Sequence, residues 1–171
     1  MKKLLIVDGN SIINRAYYAT ETSFMKTAEG LYTGAVYGFL NIFLKYLEED
    51  DPDYIAVCFD VKHPTFRHEE YEEYKATRKG MPDELAAQMP LLKELLHAFN
   101  VAVIEKMGYE ADDLIGTFCE KASSKGMECI VLTGDRDSLQ LVNERVVVKL
   151  PVTKGGRTSA EFYDVDKVYE K

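Results

Sequence analysis

Seven acidic residues sit just past the ends of four apolar runs. Asp8 follows Lys3 to Val7, Asp60 follows Tyr54 to Phe59, Glu110, Asp112 and Asp113 come after Val101 to Ile104, and Asp135 and Asp137 after Glu128 to Leu132. Carboxylates gathered in one place raise one another's pKa values, so a cluster is costly without a positive partner. Hard divalent cations of the Mg²⁺ or Mn²⁺ type suit oxygen-only sites and keep several waters. Two such ions, about 4 Å apart, activate a water and stabilise the leaving oxygen of a phosphodiester. Each acid alone has a plainer reading: an Asp after a strand forms turns, and an acid in a first helical turn is favoured by the macrodipole. Recurrence at four strand ends favours the metal site. By i, i+3 spacing Glu110 and Asp113 share a helix face, with Asp112 directed elsewhere unless the first turn is irregular.

A second constellation lies between Lys62 and Lys79. If Arg67 to Lys79 is helical at about 100° per residue, Tyr71, Tyr74 and Arg78 fall within roughly 40° of Arg67, and Lys75 at about 80°. Glu69, Glu70, Glu72 and Glu73 occupy the opposite side. A face of cations and tyrosines suits a polyanion, with charges for phosphates and rings for stacking unpaired bases; the alternative is a solvated helix with local ion pairs. His63, His68 and His97 lack metal-pair spacing and are assigned no chemistry. No GxGxxG, P-loop or G-x-S-x-G is present, which removes the main support for dinucleotide, nucleotide-triphosphate and serine-hydrolase readings.

Positioning these residues requires strands alternating with helices. After the strand Lys3 to Val7, helices are expected from about Ser11 to Ala19 and from Thr33, as N-cap, to Leu47. Tyr54 to Phe59 is a second buried strand. Pro82 opens a helix whose buried face is Leu85, Met89, Leu92, Leu95, Leu96 and Phe99. Strand Val101 to Ile104, helix Tyr109 to Lys125, strand Glu128 to Leu132, a short helix Arg136 to Val142 and strand Arg145 to Leu150 follow. Lys154 to Arg157 reads as a hairpin tip, Phe162-Tyr163 as edge pairing, and Asp164 as a cap for a last helix. The pattern predicts an α/β layer fold around a mostly parallel sheet with right-handed crossovers, whose C-terminal rim collects the acids.

Composition sets the frame. The chain has 171 residues, 21 Lys+Arg against 29 Asp+Glu, and 46% hydrophobic residues, which describes one globular domain. A net charge of −8 argues against a protein that simply coats nucleic acid. Cys58, Cys119 and Cys129 lie in apolar stretches without C-x-x-C spacing and read as core. No run reaches the roughly 18 to 20 apolar residues of a membrane span, and Asp8 comes too early for a signal peptide. A soluble, cytoplasmic protein with no membrane contact is expected.

Taken in order, Ile6-Val7-Asp8-Gly9-Asn10-Ser11, Tyr37-Gly38-Phe39-Leu40, Val57-Cys58-Phe59-Asp60, Phe66-Arg67, Tyr74-Lys75-Ala76-Thr77-Arg78, Gly108-Tyr109-Glu110-Ala111-Asp112-Asp113 and Thr133-Gly134-Asp135-Arg136-Asp137 resemble the amino-terminal 5′-3′ exonuclease domain of bacterial DNA polymerase I. That domain is a PIN-like member of the flap endonuclease family. The resemblance implies a three-layer PIN-like (resolvase-like) fold over residues 1–171 and removal of 5′ ends, flaps and RNA primers from DNA by metal-assisted hydrolysis. It implies Mg²⁺ or Mn²⁺, two ions in the complete enzyme, held by Asp8, Asp60, Glu110, Asp112, Asp113, Asp135 and Asp137. Lys75 and Arg78 would hold the scissile phosphate and Tyr74 would stack on a base. Arg67, Tyr71 and Lys79 extend that nucleic-acid face.

It further implies flapped or nicked DNA, or RNA primer on DNA, as partner, a monomeric state, and a polymerase domain in the full-length polypeptide. A helix-hairpin-helix region with further acids would follow residue 171. Three readings stay open beside it: a PIN-type ribonuclease, a non-catalytic or weakly active DNA-binding module, and a phosphoacceptor receiver-type domain. The last would want a Lys after a late strand, where the chain has Leu150-Pro151.

Overall fold

Alternate residues of the first strand settle the layering. In the computed structural model, which describes residues 1–23, 25–61, 80–154 and 157–170, Leu5 and Val7 enter one core while Leu4 and Ile6 enter another. A period of two is what a strand buried on both faces requires. Five strands run parallel: β1 (Lys3–Asp8), β2 (Tyr54–Cys58), β3 (Ala102–Ile104), β4 (Glu128–Leu132) and β5 (Val146–Lys154). The last, β6 (Arg157–Tyr163), returns antiparallel against β5. Across the sheet the order is β3-β2-β1-β4-β5-β6. The chain therefore moves outward from β1 to β3 and then crosses to β4 on the other side of β1, and that reversal opens a crevice at the strands' C-terminal ends. Val7 is level with Val57 on one side and Leu132 on the other, so these three strand ends share one rim.

On one face lie α1 (Gly9–Thr20), α2 (Gly34–Asp50), the single turn α3 (Asp83–Ala86) and α4 (Met89–Ala98), packed through Ile12, Phe39, Phe43, Leu85, Leu92 and Leu96. The other face is covered by α5 (Ala111–Ser124), with Leu114, Ile115 and Cys119 inward. A five-residue helix α6 (Val165–Tyr169) ends the described chain, and Asp164 caps it by accepting from Lys167 N–H at 3.0 Å, as expected. The expected α/β class with a mostly parallel sheet is the observed one. Among the described residues, no helix is long and apolar enough to cross a membrane. The three cysteines are buried free thiols, and burial pushes the Cys58 thiol up to about 12, so it stays an inert core group.

Expectation and structure part after Pro82. The single predicted helix is two, α3 and α4, with Pro90 in the first turn of the second, where its missing N–H breaks no helical bond. Gln88 fills the break. It is 1% exposed, and its Oε1 accepts from the N–H groups of Ala35 at 3.0 Å and Val36 at 3.4 Å. It thus caps α2, for which the adjacent Thr33 side chain makes no capping bond. Phe99, predicted inward, is exposed because it is the C-cap, where helical spacing no longer sets its direction.

The far end of α2 carries a charge into the core. Asp50, 9% exposed, pairs with Lys149 of β5, whose ammonium lies 5.3 Å from the centre of the Tyr46 ring. Lys3 Nζ donates to the Asp50 backbone carbonyl at 3.0 Å.

Candidate active site

At the crevice a polar cavity of about 230 Å³ is lined by five of the seven predicted acids: Asp8, Asp60, Glu110, Asp112 and Asp135. Each is delivered by a strand end or the helix start that follows it, and several also do structural work there. Asp8 is the N-cap of α1, accepting from Ser11 N–H at 3.0 Å with Oδ1 and from the Thr133 hydroxyl at 2.8 Å with Oδ2. Asp60 accepts from Ala111 N–H at 2.7 Å, which ties the end of β2 to the start of α5. Asp135 caps the 3₁₀ turn Arg136–Leu141 through Asp137 N–H at 2.9 Å, and its own N–H donates to Thr133 Oγ1 at 3.0 Å. Capping and lining are thus compatible: the positive helix starts that favour these carboxylates also aim them at the crevice.

Asp113 and Asp137 are not in the lining. The predicted shared face of Glu110 and Asp113 is corrected, since Asp112 joins Glu110 at the cavity while Asp113 turns back to accept from Glu110 N–H at 2.9 Å. The reason is that Glu110 is the N-cap with extended φ −88° and ψ 162°, so helical spacing cannot be counted from it. Asp137 is exposed beside the cavity. Lys75 and Arg78, with Arg67, Tyr71, Tyr74 and Lys79, lie outside the described residues.

Sequence reasoning passed over Asn10, Ser11 and Asn14, which line the cavity from the first turns of α1. The readable signal was three small polar side chains, Asn10, Ser11 and Asn14, at the start of the helix around the apolar pair Ile12-Ile13. Asn10 Oδ1 accepts from Asp60 N–H at 2.9 Å, and Ser11 Oγ accepts from Gly134 N–H at 2.8 Å. The backbone is drawn in closely here: a Cβ on Gly9 would overlap the Phe59 ring, and one on Gly134 would come within 2.8 Å of Ser11 Oγ.

The electrostatics are unbalanced. Burial raises the Asp8 carboxyl to about 6; the bonds from Ser11 and Thr133 pull the other way, and the charges of Asp112 and Asp60 add to the rise. Among the described residues, no three His, Cys, Asp or Glu side chains are drawn together closely enough to hold an ion directly. The acids ring the cavity instead. That donor set fits a hard cation that retains much of its water, because such an ion fills space between carboxylates set apart.

Residues 3–171 match the family model for the 5′-3′ exonuclease, N-terminal resolvase-like domain. DNA polymerase I of Caldicellulosiruptor bescii is 48% identical over 169 residues, 99% of this chain and 20% of that protein. DNA polymerase I of Bacillus subtilis is 42% identical over 170 residues, 99% of this chain and 19% of that protein. The chain thus spans about one fifth of the length of the curated relatives it matches. In fold it resembles bacteriophage T5 5′-exonuclease with divalent zinc ions bound, at TM-score 0.67 and 18% identity over 99% of this chain and 60% of that one. It also resembles the catalytic core of Rad2 in complex with DNA substrate, at TM-score 0.53 and 17% identity over 99% of this chain and 49% of that one. With its parallel sheet, its acid-lined crevice and a match over nearly all its length, the chain belongs to the family of 5′-3′ exonuclease N-terminal, resolvase-like domains.

Proposed function

We propose that this chain is the metal-dependent 5′-nuclease part of a longer polypeptide that also carries a polymerase, hydrolysing DNA phosphodiesters at 5′ ends and flaps and RNA primers on DNA. The observation that carries the reading is the ring of five carboxylates at the switch point of the sheet. Asp8, Asp60, Glu110, Asp112 and Asp135 are assigned to two Mg²⁺ or Mn²⁺ ions. When bound, these ions supply an activated water and neutralise the leaving oxygen. Asp113 acts at one remove, its carboxylate accepting from the backbone N–H of Glu110, while Asp137 gives its backbone N–H to the carboxylate of Asp135. Lys75 and Arg78 are assigned to the scissile phosphate and Tyr74 to stacking on the family resemblance, and Arg67, Tyr71 and Lys79 to the neighbouring strand on the sequence pattern. The chain acts as a monomer, and tight duplex binding comes from the longer protein.

Cleavage of labelled 5′-flap DNA and of single-stranded RNA, each with Mg²⁺, Mn²⁺ or chelator, tests the reading. The expected result is metal-dependent cutting of the flap alone. Preferential cutting of the RNA would favour the PIN-type ribonuclease, and cutting in chelator would remove the metal assignment.

Metal should also raise the melting temperature, because ions bind the folded ring and not the unfolded chain. Asp8 must lose its proton to face an ion, so the rise should be full above its raised pKa and shrink as pH falls through about 6. Melting scans from pH 5 to 8 check both. Lys75→Ala and Arg78→Ala should slow cleavage while keeping that metal-induced rise, since these side chains face phosphate in the assignment. Loss of the rise in either variant would place them at the ions instead.

A further inference from the structure

We propose that Cys119 and Cys129 are a peroxide-sensitive dithiol, closing to an intramolecular disulfide that draws α5 onto β4 and slows the acid-lined crevice. The bond follows from the packing of the core alone; its effect on cutting rests on the nuclease reading. Cys119 lies on the inward side of α5 and Cys129 on β4, 3% and 0% exposed, in one apolar cluster. The Cys129 S–H donates to the backbone carbonyl of Cys119 at 3.9 Å. The Cys119 S–H is turned to the Cys129 sulfur, which holds the Cys119 thiol above its ordinary value, and burial adds to the rise. The same bond holds the Cys129 thiol below its ordinary value against the effect of burial, with the Ser123 hydroxyl helping. Ser123 stands one turn after Cys119; its oxygen is buried and, among the described residues, has no hydrogen-bond partner, so its proton is available to a thiolate on Cys129. An inert core sulfur needs no such donors, whereas a nucleophilic one does.

Cys119 is five residues from the end of α5, so opening of the last turns admits a molecule about the size of water. With peroxide as oxidant, the Cys129 thiolate attacks one oxygen, the O–O bond breaks, and hydroxide leaves and takes up the Cys129 proton, giving a sulfenic acid. The Cys119 sulfur then attacks the sulfenic sulfur; the S–O bond breaks and its oxygen departs as water with the Cys119 proton. Two thiols and one peroxide become one disulfide and two waters, with two electrons passing from sulfur to oxygen. Disulfide sulfurs lie about 2.0 Å apart, closer than two thiols can approach, so the bond pulls Cys119 toward the strand. Asp112 is two turns earlier on nearly the same side of α5, and it lines the cavity beside Glu110. A shift of about 1 Å at such a group costs up to about a hundredfold in rate.

The test treats the reduced chain with hydrogen peroxide in chelator, then removes the oxidant. Lys121 and Lys125 lie between the two cysteines, so trypsin separates them and only a disulfide keeps their peptides together. The expected product is that linked pair, with flap cutting slowed roughly tenfold to a hundredfold, a smaller metal-induced rise in melting temperature, and both restored by dithiothreitol, which does not reverse methionine oxidation. Cys119→Ala should form no disulfide, keep its cutting after the same treatment, and carry a dimedone-reactive sulfenic acid on Cys129. Unlinked peptides, or a link to Cys58, overturn the pair. A Cys119–Cys129 link that leaves both cutting and the metal-induced rise unchanged overturns its effect on the crevice. If the reduced chain does not cut at all, the nuclease reading fails, while the linked peptides and the metal-induced rise still decide the dithiol.

Discussion

Asp8→Asn lowers metal-dependent cleavage by roughly a thousandfold, equivalent to about 4 kcal/mol of lost transition-state stabilisation, while the metal-free protein melts no lower than the parent. The two halves of this expectation come from opposite demands on one side chain. With metal, the buried carboxylate is the innermost negative charge of the ring. Without metal that charge is a burden, since its pKa is raised to about 6 by burial. A carboxyl whose folded pKa lies above its unfolded one is stabilised by folding in its protonated form, so the ionised form loses stability as pH rises through about 6. Asparagine resembles the protonated state: its oxygen still caps α1 through Ser11 N–H and its NH₂ faces the Thr133 hydroxyl. In chelator the variant should therefore gain on the parent at pH 7.5, keep a smaller gain at pH 5, and lose the rest only as pH falls below the ordinary carboxyl value of 3.8. Calorimetry at both pH values beside single-turnover cleavage checks it. A variant that is inactive and also less stable at pH 7.5 would mean that Asp8 serves the fold alone.

Lys149→Ala should cost about 3 to 5 kcal/mol of folding free energy, the largest stability effect of any surface-to-core charge described above. It leaves Asp50 nearly buried at the end of α2, and among the described residues the second carboxylate oxygen of Asp50 already has no hydrogen-bond partner, nor has the neighbouring Tyr46 hydroxyl. The pair as a whole is worth much less than this, because both ions were taken from water to form it. Asp50→Leu combined with Lys149→Met should accordingly recover most of the loss. Urea unfolding of the two proteins decides: equal destabilisation of single and double variants would show that shape, not charge, is what the position requires.

The layer architecture and the order of elements along the chain were legible because four of the five parallel strands are short apolar runs followed within a few residues by an acid, and that coincidence also marked the site. Asp8, Asp60 and Asp135 could be placed from strand ends alone. The acids on α5 could not be ordered, since Glu110 belongs to the extended cap and the helix phase begins only at Ala111. Gln88 was invisible for a different reason: its partners, Ala35 and Val36, are more than fifty residues away and offer only backbone N–H groups, which leave no mark in a sequence. Pro90 did announce a helix start, but the apolar spacing from Leu85 to Leu96 runs through the break without a change of phase.

The strand order has a consequence for how the polypeptide is made. β1 leaves the ribosome before the other five strands and sits inside the sheet, yet one of its two neighbours, β4, ends at Leu132. At about 5 to 20 residues per second, the central strand waits on the order of ten seconds with an open edge of apolar side chains, paired on the β2 side alone. The carboxylate ring is later still, because Asp135 lies beyond β4. On the metal assignment proposed above, ions cannot assist the early steps of synthesis and reward only a chain that has already closed its sheet. A nascent chain stalled before residue 128 would present this bare edge to whatever is nearby, and is the form of the protein that chaperones should capture.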